Sequence, residues 1–391
     1  MEKGVASALA LTTDAPHRVL AFYLPQFHPI PENDEWWGPG FTEWTNVVRA
    51  GALFPGHDQP RLPADLGFYD LRVPEVREQQ ARLARDHGIH GFCYYHYWFN
   101  GRRLLGRPFE EVLASGRPDF PFALCWANED WTRAWTGGGD EHLLRQEYSE
   151  KDDREHIRWL AGAFADERYI RVDERPVFLV YRAGRLPDPR RTTAAWREEA
   201  RRLGIGELYL CRVESFGQER GDPRPLGFDA AVEFQPDWAR LGRALRRGRG
   251  WRILRSLGLS NRAYGRHRIF DYRDVVDRML RKPSVPYPRF PGITPSWDNS
   301  PRRHDDGVIL KDATPAHYER WLRSALTSFR PPSPDQNLVF INAWNEWAEG
   351  SVLEPSRRWG REHLEATRRA IGGVASATAR MAVSGREGRG P

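Results

Sequence analysis

Short, almost uniformly apolar runs recur along this chain, separated by stretches whose apolar residues return at helical spacing. Arg18–Phe27 is the first run, followed by Ile89–Trp98, Phe120–Glu129 and Pro176–Arg182. Leu208–Ser215, Phe228–Pro236 and Pro291–Asn299 continue the series, and Asn337–Trp347 closes it. Between several of them lie amphipathic patterns, at Pro74–His87, Lys151–Asp166, Thr192–Leu203 and Pro315–Phe329. Apolar strands alternating with such helices predict parallel β-structure in βαβ units. Eight units predict an α/β fold, a (β/α)8 TIM barrel with long βα-loop insertions. The barrel is expected over 18–371, preceded by a flexible N-terminus over 1–17. Small, polar, unpatterned residues over 372–391 predict a disordered tail.

The polar and aromatic residues are distributed one-sidedly. Strand after strand ends in side chains able to bind or react, and in a barrel all those ends meet at one rim. The first ends in Tyr23, the second in His96 and Trp98, the third in Trp126, Asn128 and Glu129. Glu233 ends the sixth, and Trp297 and Asp298 belong to the seventh. Tyr23 and His96 are expected to face a ligand, and Trp98, Trp126 and Trp297 to stack on it. Asn128, Glu129, Glu233, Asp298 and Asn345 are the expected polar contacts. Each has a plainer alternative: core packing for the aromatic rings, an ion pair with Arg133 for Glu129, and hydrogen-bonding support for Glu233.

The eighth strand carries the sharpest signal. Phe340-Ile341-Asn342-Ala343-Trp344-Asn345-Glu346-Trp347-Ala348-Glu349-Gly350 runs from apolar strand into two carboxylates three residues apart. Along a strand, residues i and i+3 point to opposite faces. If the strand ends near Asn345 and the chain then turns as a helix would, Glu346 and Glu349 share one side. Two acids beside indole faces suit sugar chemistry, which needs carboxyl groups to move protons and a flat apolar surface for a pyranose. A first helical turn with surface glutamates would explain the acids but not the tryptophans.

Composition narrows the partners. The net charge is +6, yet only four of the 59 basic residues are lysine, the bias of a GC-rich genome, and no nucleic-acid motif accompanies it. No apolar run reaches membrane-spanning length and no convincing signal peptide is present, so a cytoplasmic location is expected. The insertion 240–268 carries ten arginines and no acid. A solvated insertion is the simpler reading of it, and peripheral membrane contact the alternative. Cys93, Cys125 and Cys211 sit in apolar strands without zinc-ligand spacing, so neither a metal nor any other cofactor is expected.

Several longer stretches then point to a family. AFYLPQFHPIPEND, GFCYYHYWFNGRRLL, LCWANEDWTR, VFLVYR, PSWDNSPRR and FINAWNEWAEGSVLEP resemble the WbsX-type proteins of bacterial polysaccharide loci. These are similar in turn to glycoside hydrolase family 99, which carries a comparable Asn-Glu-Trp-x-Glu-Gly element. The resemblance implies a (β/α)8 barrel acting with retention on an α-linked oligosaccharide or polysaccharide. It implies that Glu346 takes the proton of the sugar 2-hydroxyl, which attacks its own anomeric carbon to give a 1,2-anhydro sugar. Glu349 would protonate the departing oxygen and later deprotonate the incoming water or acceptor. Transfer to a sugar acceptor in surface-polysaccharide biosynthesis is the alternative, and a catalytically silent glycan-binding barrel a third. Neither a Gly-rich nucleotide loop nor an Asp-x-Asp run is present.

Overall fold

The structure, a computed structural model, describes residues 17–133, 141–246 and 248–387. Apart from His17, the N-terminal segment 1–17 lies outside the described residues.

Nine parallel strands form a nearly closed barrel. They are β1 (Arg18–Tyr23), β2 (Gly91–Phe99), β3 (Phe122–Trp126), β4 (Arg175–Val180) and β5 (Tyr209–Glu214), then β6 (Ala230–Glu233), β7 (Arg289–Phe290), β8 (Gly292–Ile293) and β9 (Leu338–Ile341). Consecutive strands pair from β1 to β7, β9 returns to pair with β1, and β8 pairs with β9. β7 and β8 are two halves of one stave divided at Pro291, which has no N–H to give a ladder. That stave begins earlier than the expected Pro291–Asn299. It passes so close to β6 at Gly292 that a Cβ there would stand 1.8 Å from the Glu233 carbonyl oxygen.

Six helices pack outside: α1 (Pro74–Asp86), α2 (Glu150–Phe164), α3 (Pro189–Arg202), α4 (Tyr272–Leu280), α5 (Pro315–Ser328) and α6 (Glu362–Glu387). Side-chain oxygens of Ser149, Asp188 and Thr314 accept from the first free N–H groups of α2, α3 and α5, which sets where those helices begin. The α6 backbone continues to residue 387, so the expected disordered tail is helical over most of its length; 388–391 lie outside the described residues. Its alanine-rich sequence beyond Gly372-Gly373 is a good helix former, and the glycine pair does not interrupt it. The three cysteines are buried and unpaired.

Two insertions shape the rim. Residues 29–67 form helices Pro31–Trp37 and Glu43–Arg49 beside the eighth βα junction. The arginine-rich insertion forms helices Arg249–Ser256 and Ala263–Arg266, then a strand, Arg268–Asp271, that pairs in parallel with Val308–Lys311. Trp251, Ile253, Leu257 and Leu259 of this insertion are exposed. No helix among the described residues is long and apolar enough to cross a membrane.

Candidate active site

After β9 the chain makes a short antiparallel bridge, Asn345–Glu346 against Ser351–Val352, closed by a single 3-10 turn at Trp347–Glu349. The turn replaces extended backbone where the two acids would otherwise diverge, and Gly350 ends it at φ +64°. A Cβ at Gly350 would stand 2.8 Å from the Asp298 amide nitrogen, so the close approach of the seventh and eighth strand ends requires glycine. Glu346 and Glu349 thereby enter one hollow of about 450 Å³ at the C-terminal rim. Aromatic side chains wall it, among them Tyr95, Tyr97, Tyr181, Trp238 and Trp297. Trp238 stands edge-on to Trp297 at 5.2 Å between ring centroids.

Arg302 holds the two acids together. Its Nη1 lies 2.8 Å from Glu349 Oε1, and its Nη2 lies 3.5 Å from Glu346 Oε2 and 3.0 Å from Glu43 Oε2. One guanidinium thus faces three carboxyl groups in a buried place. Burial raises the pKa of Glu346 well above the ordinary carboxylate range, the charge of Glu349 adds to the rise, and Arg302 opposes it. Burial also raises Glu349, with Arg302 again opposing. Burial thus favours the protonated form of both acids, and more so for Glu346, because Glu349 has the closer guanidinium bond.

Asn128-Glu129 and Asn345-Glu346 are built alike. Asn345 Oδ1 accepts from the Leu24 amide at 2.7 Å and its Nδ2 donates to the Leu24 carbonyl at 3.0 Å. Asn128 Oδ1 accepts from the Arg182 amide at 2.8 Å and its Nδ2 donates to the Arg182 carbonyl at 2.9 Å. In each dipeptide the asparagine amide clasps the backbone beyond a neighbouring strand, and the next residue, the glutamate, enters the hollow. Both asparagines are completely buried, so they position the site instead of touching a ligand. Glu129 is paired with Arg182, not with Arg133, whose partner is Glu141. Burial raises the Glu129 pKa, and Arg182 opposes the rise.

Four expected ligand contacts lie on the other side of the barrel wall. The Tyr23 hydroxyl donates to Gln80 of α1 at 2.7 Å. His96 Nε2 lies 2.9 Å from His156 Nε2 of α2, its ring stacked on Trp159. Trp98 Nε1 donates to Asp152 at 2.9 Å, and Trp126 Nε1 donates to the Trp98 carbonyl at 3.0 Å. Burial pushes the His96 pKa down to about 3, with Arg103 adding to the effect, so this ring is neutral. The reason is the two-residue period: along β2 it is Tyr95 and Tyr97, one position away, that face the hollow.

Two further residues are displaced. Glu233 bonds Lys282 Nζ at 2.6 Å in a separate cluster with Asp237 and Arg289, while its neighbour Phe234 lines the hollow. Burial acts to raise the Glu233 pKa, but Lys282 and Arg289 outweigh it and hold the group ionised. Asp298 is buried behind the rim, where Oδ2 lies 2.7 Å from His57 Nε2 and accepts from Gln59 at 2.9 Å. It anchors the first insertion. Of the expected binding residues, Glu129 and Trp297 are the two that line the hollow.

Sequence reasoning missed Tyr95, Tyr97, Tyr181, Trp238 and Arg302 at the hollow, and the acids Glu43 and Glu354 beside it. Arg302 stands beside Arg303 in a chain rich in arginine, so composition did not single it out. Glu354 lies behind the turn, accepting from Gln80 at 2.6 Å, Trp347 Nε1 at 2.7 Å and the Tyr69 hydroxyl at 2.9 Å. Through Gln80 this network reaches Tyr23, which therefore helps to seat the acid-bearing turn. Among the described residues, no group of three or more His, Cys, Asp or Glu side chains is placed to hold a metal ion.

Comparison with known proteins sets this geometry in context. The chain is 15% identical to a solved "Glycoside hydrolase-like protein", with a TM-score of 0.59 over 94% of this chain and 97% of the other. It is 12% identical to the GH99 endo-alpha-mannosidase from Bacteroides thetaiotaomicron, with a TM-score of 0.57 over 93% of this chain and 98% of that one. At such identities the likeness is one of fold. An "Uncharacterized protein WxcX" of Xanthomonas campestris pv. campestris (strain B100) is 47% identical over 93% of this chain. This chain spans about half the length of that relative, 50%. A family model described as Glycosyltransferase WbsX matches residues 19–367, nearly the whole barrel, and the chain belongs to that family.

Proposed function

We propose that the protein is a carbohydrate-active enzyme that cleaves an α-linked glycan, with Glu346 and Glu349 as its acid–base pair. The observation that carries this reading is the entry of both acids into one aromatic-walled hollow, on a shared guanidinium. The GH99 fold likeness and the family membership favour the same chemistry.

In this reading a glycan enters with the apolar face of one sugar against the aromatic wall. Glu346 accepts the proton of the sugar 2-hydroxyl, O2 forms a bond to C1, and the bond from C1 to the glycosidic oxygen breaks. Glu349 gives its proton to that leaving oxygen. Water then attacks C1 as Glu349 takes its proton, the C1–O2 bond opens, and O2 recovers a proton from Glu346. Two inversions at C1 give net retention.

The order of proton affinities set by burial and Arg302 must be reversed for this. A 2-hydroxyl donates to Glu346 and stabilises its carboxylate, whereas a glycosidic oxygen can only accept and so favours protonated Glu349. Substrate hydrogen bonding thus selects the reactive arrangement, Glu346 ionised and Glu349 protonated.

A sugar hydroxyl in place of water would make the same site a transferase, and the description of the family favours keeping that reading. Incubation with a panel of α-linked oligosaccharides, with and without nucleotide sugars, followed by mass analysis of products, separates the two. New reducing ends without a donor mark hydrolysis, and elongated products that need a donor mark transfer. No product under either condition overturns both.

A further inference from the structure

A second cavity, about 610 Å³, adjoins the hollow and shares Arg302 and Arg303 with it. Five arginines line it, Arg49, Arg262, Arg266, Arg302 and Arg303, and no aspartate or glutamate does. Arg266 is matched by Asp305 at 2.8 Å, and Arg302 by the three carboxyl groups described above. Arg49, Arg262 and Arg303 form no ion pair among the described residues.

Several other surface arginines are matched, although Arg82, Arg117 and Arg273 also form no ion pair among the described residues. Arg102, Arg103 and Arg107, for example, each lie 2.7 Å from a glutamate. Guanidinium groups collected from three separate segments around one concavity repel one another, and the planar fork of each suits the oxygens of a phosphate. Trp37 and Phe41 add apolar wall on one side.

We infer that this cavity is a subsite for a diphosphate group carried by the glycan or its donor, placed beside the sugar whose bond is broken. The inference deepens the proposed function and rests on it only for what the subsite serves; the binding itself does not depend on turnover. Arg303 also helps to hold Glu349 as a carboxylate. An anion seated on Arg303 would relax that pull and favour the protonated Glu349 that bond cleavage requires.

The test is calorimetric binding of inorganic pyrophosphate to the full chain, to Arg49→Ala/Arg262→Ala, to Glu349→Gln and to Arg252→Ala. Arg252 is an exposed arginine of the same insertion that does not line the cavity. Binding to the first protein should weaken at least about tenfold in the double variant and stay within about twofold in the other two. No binding to the full chain, equal binding by the double variant, or an equal loss with Arg252→Ala would overturn the inference. A nucleoside diphosphate sugar and a short prenyl diphosphate are titrated alongside. Whichever binds more tightly than pyrophosphate, and loses that gain in the double variant, identifies the source of the group. Glu349→Gln tells the two readings apart: retained pyrophosphate binding with unimpaired glycan turnover would sink the acid–base pair and leave the subsite standing.

Discussion

Arg302 donates through Nη1 to Glu349 Oε1 at 2.8 Å, and through this contact one cation governs the charge of the whole site. The same guanidinium lies 3.0 Å from Glu43 and 3.5 Å from Glu346. Arg302→Gln removes the group that favours the ionised forms, so the acid pair should hold its protons to higher pH. The acidic limb of the kcat/KM profile should therefore move upward. Buried carboxyl groups left without a cation should also lower stability at neutral pH by about 3–5 kcal/mol, and by less at pH 5, where protonation relieves them. A pH–rate profile with an unmoved acidic limb would count against the role of Arg302.

The two faces of the barrel wall can be told apart by single hydroxyl deletions. Tyr95 and Tyr97 line the hollow, and neither hydroxyl bonds another protein group among the described residues. Tyr95→Phe and Tyr97→Phe should each weaken glycan affinity about fivefold, the worth of roughly 1 kcal/mol, with little change in melting temperature. Tyr23→Phe leaves Gln80 without its donor and should do the reverse: a lower melting temperature and near-normal affinity. Isothermal titration and thermal melts on the three variants decide the matter. Loss of affinity in Tyr23→Phe alone would reverse the facing of the strands.

Acid and base differ in what can replace them. Glu346→Gln and Glu349→Gln should each reduce turnover of a natural glycan by about 10²–10⁴-fold while leaving binding near normal. A dinitrophenyl glycoside needs no proton on its leaving group. Its cleavage should survive in Glu349→Gln and fail in Glu346→Gln; rescue of Glu346→Gln instead would exchange the two roles.

Glu354 predicts a pH dependence of stability. Burial raises its pKa to about 7, although bonds from Gln80, Trp347 and Tyr69 pull the other way. In the unfolded chain the group titrates near the ordinary value of about 4.3. Below that value both states carry the proton, and between it and pH 7 only the folded state does. Stability from this group is thus complete at low pH and falls as pH rises through the window, by on the order of 3 kcal/mol. Urea unfolding at pH 4.5 and pH 8 should show this decline in the native protein and less of it in Glu354→Gln, which keeps a neutral group throughout. Equal declines in both would refute it.

The barrel was legible because its strands are apolar on both faces and its helices are amphipathic, patterns set by burial that a single chain displays. Facing within a strand was not legible for the same reason. All nine residues of β2 are buried, so nothing in GFCYYHYWF says which aromatic rings look inward. The local signal at Glu346 and Glu349 was enough to place both acids on one side, because the turn that joins them lies within a few residues. Arg302, Trp238 and Glu43 reach the site from distant segments, and their placement depends on loop folding that no local pattern encodes. Asn128 and Asn345 looked like ligand contacts because polar residues at a rim usually are; here their amides complete neighbouring backbone.

The central claim is that Glu346 and Glu349 work together across one glycosidic bond with retention. Its most direct measurement is proton NMR of the first product released from an α-linked oligosaccharide, run on the native protein and on each glutamine variant. The account predicts the α-anomer first, before mutarotation, and a fall of at least about 10²-fold in both variants. The β-anomer first, or native rates in either variant, would contradict it.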